Sequence, residues 1–500
     1  MRAVSLTEPL PPPPRPFNMA AHVLRHAGRL AEKPALVQPD GDIWTFGSLL
    51  RAVQGTASGL LSLGLKPGDR VALRLGNTVD VPIAYLGALA AGLVPVPTSA
   101  ALTASEITPM TRALNARLVV ASDKIALPDA PEIPVLYDTD LRRFRTLPSA
   151  PFHMGDPERP GYIVFTSGTG ASPRGVIHAH RAVWARQSMI AHWAAMTQSD
   201  RVLHAGTFNW TYTMGTGLMD PWSVGATAII PNPDMVTTEF ATLIADQSAT
   251  ILAAVPGIYR RLLDRGTGRF PALRHGLSAG EKLPETIRAA WRTATGTEIH
   301  EAYGQSECST FISGAPHAPA PPGSLGRAQP GRRVAILAPD GPVGRGEVGA
   351  LAVARGDPGL MLGYLDEPDD AISGEWRKTG DLASMDDDGW ITYLGRDDDV
   401  MTAGGYRVSP LEIEGVALGV EGVKEAAAFE LEVKPDVRVI ALAYIADGDR
   451  EDQLTAAFAS HLAGYKRPRI LERRDTLPRN PNGKLQRRLL RDGGSAPRKE

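Results

Sequence analysis

The sequence contains a single cysteine, Cys308, among its 500 residues. One thiol cannot form an internal disulfide, and it cannot supply a zinc site built from several cysteines. The sequence also lacks an excess of charge of either sign. Its 53 Lys and Arg residues nearly balance its 55 Asp and Glu residues, and the formal net charge is −2. A duplex nucleic-acid binder needs a basic face, and a net charge this close to zero gives no electrostatic case for one. We therefore expect neither a disulfide framework nor a nucleic-acid partner.

Long apolar runs are also missing. The most apolar stretch, residues 81–96, is broken by Pro82, Gly87, Gly92 and Pro95, whereas a membrane-spanning helix needs roughly 20 apolar residues. The stretch is typical of a buried helix that runs into a strand. The N-terminal segment shows no basic-then-apolar secretion signal, and its run PLPPPPRP at residues 9–16 predicts an extended arm. We expect a cytoplasmic protein with no integral membrane contact.

The length exceeds what one hydrophobic core usually fills, so we expect at least two domains. Helical and strand patterns alternate through residue 300, which is typical of a layered α/β fold. Short strands at 332–354 indicate a small β region, and from residue 403 the pattern is α+β, with a helix at 410–418. The predicted architecture is a large N-terminal α/β domain over 1–397, with two layered sheets and a small β subdomain. A small mobile α+β domain over 398–500 follows the acidic turn at 396–399.

The strongest local signal is the segment 162–175, YIVFTSGTGASPRG, in which an apolar strand runs into hydroxyls, glycines and an arginine. Glycines let a backbone approach an anion, and hydroxyls, N–H groups and guanidinium donate to phosphate oxygens. No Gly-Lys-Ser/Thr follows as in the common P-loop. On its own the segment fits a phosphate-binding loop or a surface turn. The candidate ligands are Thr166, Ser167, Gly168, Thr169, Gly170 and Arg174.

Three further segments carry candidate chemistry. In YGQSE at 303–307 an aromatic ring could stack on a base, and Glu307 could hold Mg²⁺. Asp381 in KTGDL and Arg396 in GRDDD could bind sugar hydroxyls. The segment PRNPNGK at 478–484 displays Lys484 on a loop stiffened by two prolines. Each segment also has a plain structural interpretation. YGQSE could be an ordinary turn, the segments with Asp381 and Arg396 a hairpin with solvated charges, and Lys484 an exposed lysine.

Taken in order, and with GYRVSPLEIE at 405–414 added, these motifs resemble the adenylate-forming superfamily. That superfamily includes acyl-CoA synthetases, peptide-synthetase adenylation domains and firefly-type luciferases. The resemblance extends from about residue 17 to residue 488. It implies an ATP-dependent acid–CoA ligase that forms an acyl-adenylate with release of pyrophosphate and then passes the acyl group to CoA.

The resemblance also implies roles for individual residues. The loop from Thr166 to Arg174 would hold the β- and γ-phosphates, although Gly170, Ala171 and Arg174 replace the commoner Thr, Gly and Lys. The remaining implied roles are adenine-side contacts by Gly280, Glu281, Lys282, Tyr303 and Gly304, an α-phosphate contact by Ser306, Mg²⁺ binding by Glu307, ribose binding by Asp381 and Arg396, a contact near the phosphate by Arg407, catalysis by Lys484, a hinge at Asp398 and a CoA channel at Gly405.

By the same resemblance the acid and the thiol enter near residues 208–212. Trp210 would flank the thiol channel, and Thr211 and Tyr212 would face the acid. Gly304 stands where acetate-specific relatives carry a bulky aromatic, and Ala279 is small, so we expect a medium-chain fatty acid or an aryl acid. Segment 206–217 has no carboxylate to meet an amino-acid ammonium, which favours CoA. A stand-alone adenylation enzyme that loads a carrier protein is the alternative.

Two readings from other classes compete. The segment GLSAG at 276–280 matches the G-x-S-x-G pattern of serine hydrolases, with Ser278 as nucleophile. A non-catalytic nucleotide-binding module is the other, but it would be expected to lack Lys484 or Asp381. His178 and His180 could bind a metal, although no further ligand stands at zinc spacing and a loop-supporting role is the better interpretation. The oligomeric state is open, with a homodimer as the candidate.

Overall fold

The computed structural model describes residues 1–492 except 6, 40, 42, 167–172, 233–234, 236–238, 366–373, 398, 400, 404–405, 435–436 and 480–484. Of residues 402, 403, 406, 407, 434, 437 and 492 only the backbone is described.

The strands follow one another in chain order as β1 (Pro34–Val37), β2 (Ile43–Thr45), β3 (Arg70–Arg74), β4 (Val94–Pro97), β5 (Leu118–Ala121), β6 (Val135–Tyr137), β7 (Pro160–Thr166), β8 (Arg174–Ala179), β9 (Arg201–His204), β10 (Thr227–Ile229), β11 (Ile251–Ala254), β12 (His275–Ala279), β13 (Glu298–Gln305), β14 (Ser309–Ser313), β15 (Arg327–Ala328), β16 (Val334–Ala338), β17 (Gly341–Pro342), β18 (Val348–Ala354), β19 (Gly363–Tyr364), β20 (Trp376–Met385), β21 (Ile391–Arg396), β22 (Met401–Ala403), β23 (Tyr406–Val408), β24 (Val423–Lys434), β25 (Val437–Ala446) and β26 (Ile470–Arg473).

The helices are α1 (Met19–Val23), α2 (Phe46–Ser62), α3 (Asp80–Ala90), α4 (Ala104–Ala113), α5 (Asp138–Phe144), α6 (Ala182–Ala191), α7 (Asp220–Val224), α8 (Phe240–Asp246), α9 (Pro256–Asp264), α10 (Glu285–Thr295), α11 (Pro410–Leu418), α12 (Glu451–His461) and α13 (Arg487–Asp492). A π-helical segment, Thr213–Met219, leads into α7, and a 3₁₀ turn, Gly464–Lys466, precedes β26.

The largest sheet has the order β15-β14-β13-β12-β11-β9-β10-β1-β2. Its six central strands, from β13 to β1, are parallel, and antiparallel strands close both sides. A second parallel sheet has the order β4-β3-β5-β6. Because helices connect and cover these parallel strands, this part of the chain is a layered α/β domain, as predicted.

Smaller sheets complete the large domain. Strands β17-β16-β18-β20-β21 form an antiparallel sheet, and β19-β8-β7 form a three-stranded one. The first of these includes the small β region predicted at 332–354. After residue 400, β22-β23 form a two-stranded ribbon and β24-β25-β26 a sheet. Helices α11 and α12 pack on that sheet through Ile413, Leu442 and Phe458, which gives the α+β unit expected at the C-terminus.

Local predictions met different outcomes. The apolar stretch at 81–96 is the buried helix α3 followed by the buried strand β4, as predicted. The helix predicted over 410–418 is also confirmed. The sequence has helical spacing over residues 17–31, but the helix α1 covers only part of that range and ends at Val23. Beyond it, hydrogen bonds such as Ala27 N–H to Leu24 O join residues only three apart, so the chain continues as turns.

The proline-rich arm lies against the protein. Trp184 Nε1 donates to the Pro11 carbonyl at 2.8 Å, and the isolated bridge between Val4 and Ala335 ties the preceding residues to β16. Over the ranges described above, no helix is both long enough and apolar enough to cross a membrane.

Candidate active site

The predicted motifs meet at the carboxyl ends of β12 and β13. Ala279, the last residue of β12, pairs with Ala302 in β13. Gly280 then leaves β12 with φ +96°, and YGQSE continues from Ala302. Ligands in open α/β sheets bind outside the carboxyl ends of parallel strands. This edge is therefore the candidate active site.

The hydroxyl-rich loop joins β7 to β8 as a hairpin. Thr166 ends β7 and lies directly opposite Arg174, the first residue of β8. Ser167, Gly168, Thr169 and Gly170 lie outside the described residues. The two ends of the predicted phosphate loop are thus cross-strand partners.

The carboxylate predicted to hold Mg²⁺ is bound by a tyrosine. Tyr364 in β19 donates its hydroxyl to Glu307 Oε1 at 2.8 Å, and Arg377 Nη2 donates to that hydroxyl at 3.2 Å. The Arg174 guanidinium lies over the Tyr364 ring, with Cζ 3.5 Å from the ring centroid. The phosphate loop and Glu307 are therefore joined through one side chain.

Strand β8 also supports the backbone of YGQSE. His178 Nε2 lies 2.7 Å from the Ser306 carbonyl, and its ring stacks on Tyr162 with centroids 4.8 Å apart. Burial lowers the pKa of His178 to about 4, so the ring is neutral at pH 7 and its Nε2–H donates. His180 Nδ1 accepts from the Met19 amide at 3.0 Å. In the part of the chain that the structure describes, no three His, Cys, Asp or Glu side chains form a metal site.

The predicted ribose ligands face each other across two strands. Asp381 in β20 pairs directly with Arg396 in β21. Asp381 Oδ2 accepts from the Tyr303 hydroxyl and from Gln305 Nε2 at 2.8 Å, and Tyr393 donates to Oδ1 at 3.3 Å. Burial and the Asp381 charge raise the pKa of Tyr303 well above its ordinary value, which keeps the phenol a donor.

The turn after β12 divides its two charges between different partners. Lys282 Nζ lies 3.1 Å from Glu301 Oε2, and that carboxylate is buried. Glu281 accepts from Arg479 Nη1 at 3.0 Å. In this conformation Lys282 neutralises a buried carboxylate, while Glu281 meets the C-terminal unit.

The residues on either side of the Lys484 segment pair with each other. Arg479 and Leu485 form an antiparallel bridge, and the Gln486 amide donates to the Pro478 carbonyl at 2.9 Å. Lys484 itself lies outside the described residues, as do Asp398 and Gly405, and only the backbone of Arg407 is described, in β23. The base of the hairpin lies against Glu281, at the site edge.

Three of the predicted acyl-pocket residues form one cluster with Gly280. Tyr212 packs edge-on against Trp210, with centroids 5.4 Å apart, and its hydroxyl donates to the Leu277 carbonyl at 3.0 Å. Tyr212 and Ala279 belong to one hydrophobic core, against which Trp210 packs. A Cβ built on Gly280 would lie 2.5 Å from the Trp210 ring. Thr211 is half-buried beside them.

The structure shows why a side chain would not fit at Gly304. A Cβ built on Gly304 would overlap the backbone of Ser309 and Thr310 in the adjacent strand β14. The register shifts between Tyr303 and Gly304, which brings the two strands close together. The missing side chain therefore accommodates a neighbouring backbone, and its expected effect on the size of the acyl pocket stays a prediction.

Ser278 is poorly placed for a hydrolytic nucleophile. Its side chain is fully buried, and it alternates along β12 with His275 and Leu277, so it faces the opposite side of the sheet. Leu277 pairs with His300 and, through Ala253, with His204, so these histidines share the face that Ser278 does not. None of the three histidines on β9, β12 and β13 therefore faces Ser278, and the hydrolase interpretation is disfavoured.

Several site residues escaped sequence reasoning: Tyr364, Arg377, Tyr393 and Arg479. Arg377 stands directly before the motif KTGDL and Arg479 stands within PRNPNGK, so position in the sequence was the available signal for both. Tyr364 and Tyr393 stand outside them, and only the pairing of β19 with β8 and of β21 with β20 brings them to the site.

Comparison with known proteins identifies the family. The AMP-binding enzyme family model matches residues 23–365. The 4-hydroxybenzoate–CoA/benzoate–CoA ligase of Rhodopseudomonas palustris is 30% identical, with 92% of this chain and 90% of that protein covered. The human mitochondrial acyl-coenzyme A synthetase ACSM2A is 28% identical, with 96% and 91% covered.

Solved structures show the same likeness. The anthranilate CoA ligase AuaEII in complex with anthranoyl-AMP has a TM-score of 0.89 and 26% identity, over 96% of this chain and 98% of that one. A benzoate CoA ligase from Burkholderia xenovorans has a TM-score of 0.87 and 28% identity, over 95% and 100%. With the family match over more than half of its length and the ordered motifs at one sheet edge, this chain belongs to the AMP-binding enzyme family, the adenylate-forming enzymes.

Proposed function

We propose that this chain is an ATP-dependent acid–CoA ligase, which activates a carboxylic acid as acyl-AMP with release of pyrophosphate and then transfers the acyl group to CoA. The observation that carries the proposal is the docking of the lysine hairpin, through Arg479 and Glu281, at the edge where YGQSE and the adenine-side turn meet. The first half-reaction needs the acid and ATP at one place, and the second needs the acyl-adenylate and the thiol at that same place. This edge is the common point of the motifs.

The chemistry explains the choice of side chains. A carboxylate becomes a good acyl donor only when its oxygen leaves as part of AMP, so the acid oxygen attacks the α-phosphorus and pyrophosphate departs. Nucleophile and phosphate are both anionic, and donors fixed in advance must offset their repulsion. Lys484, Arg407, Ser306 and the loop from Thr166 to Arg174 would supply those donors. Asp381 and Arg396 would hold the ribose hydroxyls, and Gly280 and Tyr303 would border the adenine.

Glu307 suits the Mg²⁺ that ATP brings. Its Oε1 accepts from Tyr364, and Oε2 accepts no hydrogen bond from the residues described, so a hard anionic oxygen remains for the ion. Mg²⁺ in nucleotide sites is usually held by one or two carboxylates and by phosphate oxygens. When bound, the ion would neutralise charge on the phosphates as pyrophosphate leaves.

The acid we propose is larger than acetate, either an aryl acid or a medium-chain fatty acid. The cluster of Trp210, Tyr212 and Ala279 is aromatic and apolar, and such walls suit both kinds of acid. Relatives named for benzoate and for acyl-coenzyme A synthesis support the same range. CoA is favoured over a carrier-protein thiol, since the named relatives are CoA ligases and synthetases.

The division into 1–397 and 398–500, with Asp398 as hinge and Gly405 at the CoA channel, belongs to this proposal. A rotation about that hinge would withdraw Lys484 after adenylation and admit the thiol. A homodimer and a cytoplasmic location stay predictions from the sequence.

The test is a screen of carboxylic acids graded in length and aromaticity, with ATP, Mg²⁺ and CoA, read as AMP release. We expect release that needs both CoA and one class of acid larger than acetate. Hydrolysis of ATP that no acid and no thiol changes would contradict the proposal. Release that needs an acyl-carrier protein in place of CoA would support the alternative enzyme.

A further inference from the structure

Tyr364 lies between three charged side chains of the site, although none of the motifs described in the sequence analysis contains it. Strand β19 pairs antiparallel with β8, with Tyr364 opposite Val176. This pairing places the Tyr364 ring beside Arg174, which directly follows the predicted phosphate loop as the first residue of β8. The same side chain reaches Glu307 with its hydroxyl. One residue therefore touches both the expected phosphate side and the expected metal side of the site.

The hydrogen bonds of Tyr364 have a fixed direction. Arg377 Nη2 can only donate, and it donates to the phenol oxygen at 3.2 Å. The phenol O–H then donates to Glu307 Oε1 at 2.8 Å. A guanidinium behind the phenol polarises it and strengthens the bond to the carboxylate.

The consequence for Glu307 is a defined orientation. With Oε1 bound to Tyr364, the plane of the carboxylate is set and Oε2 is the oxygen left to a ligand. A Mg²⁺ ion demands near-ideal geometry, and a carboxylate that rotates freely must be ordered when the ion binds. An outer partner that orients a metal ligand typically changes metal affinity 10–100-fold when removed.

The consequence for Arg174 is separable from that for Glu307. Its guanidinium lies over the face of the Tyr364 ring at 3.5 Å, a cation–π contact that depends on the ring and not on the hydroxyl. Arg377 lies farther from the ring centroid, at 5.4 Å. Removal of the hydroxyl and removal of the ring should therefore affect different parts of nucleotide binding.

We propose that Tyr364 is a positioning residue for nucleotide activation, whose hydroxyl orients Glu307 toward Mg²⁺ and whose ring seats Arg174 beside the phosphate loop. The proposal rests on the proposed function, because it takes Glu307 as the metal ligand and Arg174 as a phosphate contact.

The test measures binding of α,β-methylene-ATP, which cannot be cleaved at the reacting bond, by calorimetry over a range of Mg²⁺ concentrations. For Tyr364→Phe we expect the Mg²⁺ concentration at half-maximal binding to rise on the order of tenfold, while affinity at saturating Mg²⁺ stays near that of the parent protein. For Tyr364→Leu, which also removes the ring, we expect the same shift and a further several-fold loss at saturating Mg²⁺.

Tyr444→Phe is the matched control. Its hydroxyl also donates to a carboxylate, Asp449 Oδ1 at 3.2 Å, in the C-terminal unit, and its removal should leave the Mg²⁺ dependence unchanged. Arg377→Gln should shift the Mg²⁺ dependence in the same direction as Tyr364→Phe and offers a test that leaves Tyr364 intact.

An unchanged Mg²⁺ dependence in both Tyr364→Phe and Arg377→Gln would overturn the proposal. An equal loss of analogue affinity at all Mg²⁺ concentrations would overturn it as well, since that result indicates a general structural role. Failure of the proposed function would look different, because the parent protein would then bind the analogue and yet release no AMP with any acid.

Discussion

Arg479 and Glu281 form an ion pair, with 3.0 Å between Nη1 and Oε1, across 198 residues of sequence. Arg479 also binds Glu425 at 2.7 Å, and Arg260 binds the same Glu425 at 3.0 Å. Two arginines and two glutamates thus alternate in charge between the large domain and the C-terminal unit. This chain of charges joins Arg479, which directly precedes the Lys484 segment, to the large domain at the candidate active site.

The first prediction concerns Arg479→Gln. The pair with Glu281 is partly exposed, at 31% and 23% of the two side chains, and such pairs are worth about 1 kcal/mol or less each. We expect acid-dependent ATP–pyrophosphate exchange to fall by up to about fivefold. Thioester formation from supplied acyl-adenylate should be nearly unchanged, because that step does not need the hairpin at the nucleotide.

Arg438→Gln provides the control for this change. Arg438 lies on the same C-terminal sheet, 63% exposed, with longer ion pairs of 3.6 and 3.7 Å to Glu430 and Glu432. Neither half-reaction should respond to it. If the rates of both half-reactions fell together in Arg479→Gln, the proposed role of Arg479 in holding the Lys484 segment at the site would be contradicted.

A second prediction separates backbone strain from contact at Gly280. Gly280 and Gly296 both have positive φ, +96° and +76°, so alanine at either costs about 1 kcal/mol of unfolding free energy. A Cβ at Gly280 also meets the Trp210 ring, whereas one at Gly296 meets nothing within 4 Å. We expect Gly296→Ala to lose stability alone and Gly280→Ala to lose stability and acid activation, measured by chemical unfolding and AMP release. Equal activity in the two variants would show that Trp210 does not border the reacting acid.

A third prediction concerns acid. Burial holds the pKa of His178 at about 4 against 6.5 for an exposed histidine. Below pH 6.5 the histidine of the unfolded chain is therefore protonated while that of the folded chain stays neutral. The free energy of unfolding decreases as the pH is lowered from 6.5 to about 4. At pH 4.5 this single group should cost the fold about 2–3 kcal/mol relative to pH 7.

Replacement of His178 by Gln tests that figure, since an amide can still donate to the Ser306 carbonyl and does not titrate. Urea unfolding at pH 7 and pH 4.5 should show a smaller pH effect in His178→Gln than in the parent chain. His461→Gln, at the exposed end of α12, should behave as the parent does. An identical pH effect in His178→Gln would mean that His178 is protonated in the fold.

Much of this architecture could be read from residue patterns. The buried helix α3 was visible because its apolar residues continue on all sides, and α11 because a proline begins it after Ser409. The site motifs were visible because phosphate, ribose and metal contacts each restrict residue type at short spacing. Each of these signals depends only on residues that are close together in the sequence, so the sequence alone was enough to detect them.

What depends on strand pairing could not be read in this way. Nothing near Tyr364 in the sequence indicates Glu307, which is 57 residues away, because only the placement of β19 beside β8 joins them. Gly304 shows the same limit, since its neighbour is a backbone brought close by a register shift. The ion pair of Lys282 with Glu301, a buried carboxylate on the adjacent strand, could not be read from the sequence either, and a contact of Lys282 with the nucleotide stays a prediction.

The most direct test of the ligase proposal is the pair of half-reactions in Lys484→Ala. Lys484 is proposed to bridge the acid and the α-phosphate, and loss of such a cation should lower acid-dependent ATP–pyrophosphate exchange on the order of 10³-fold. Thioester formation from supplied acyl-adenylate and CoA should remain close to that of the parent chain. Exchange that survives in Lys484→Ala, or a parent chain that never exchanges pyrophosphate with any acid, would contradict the account.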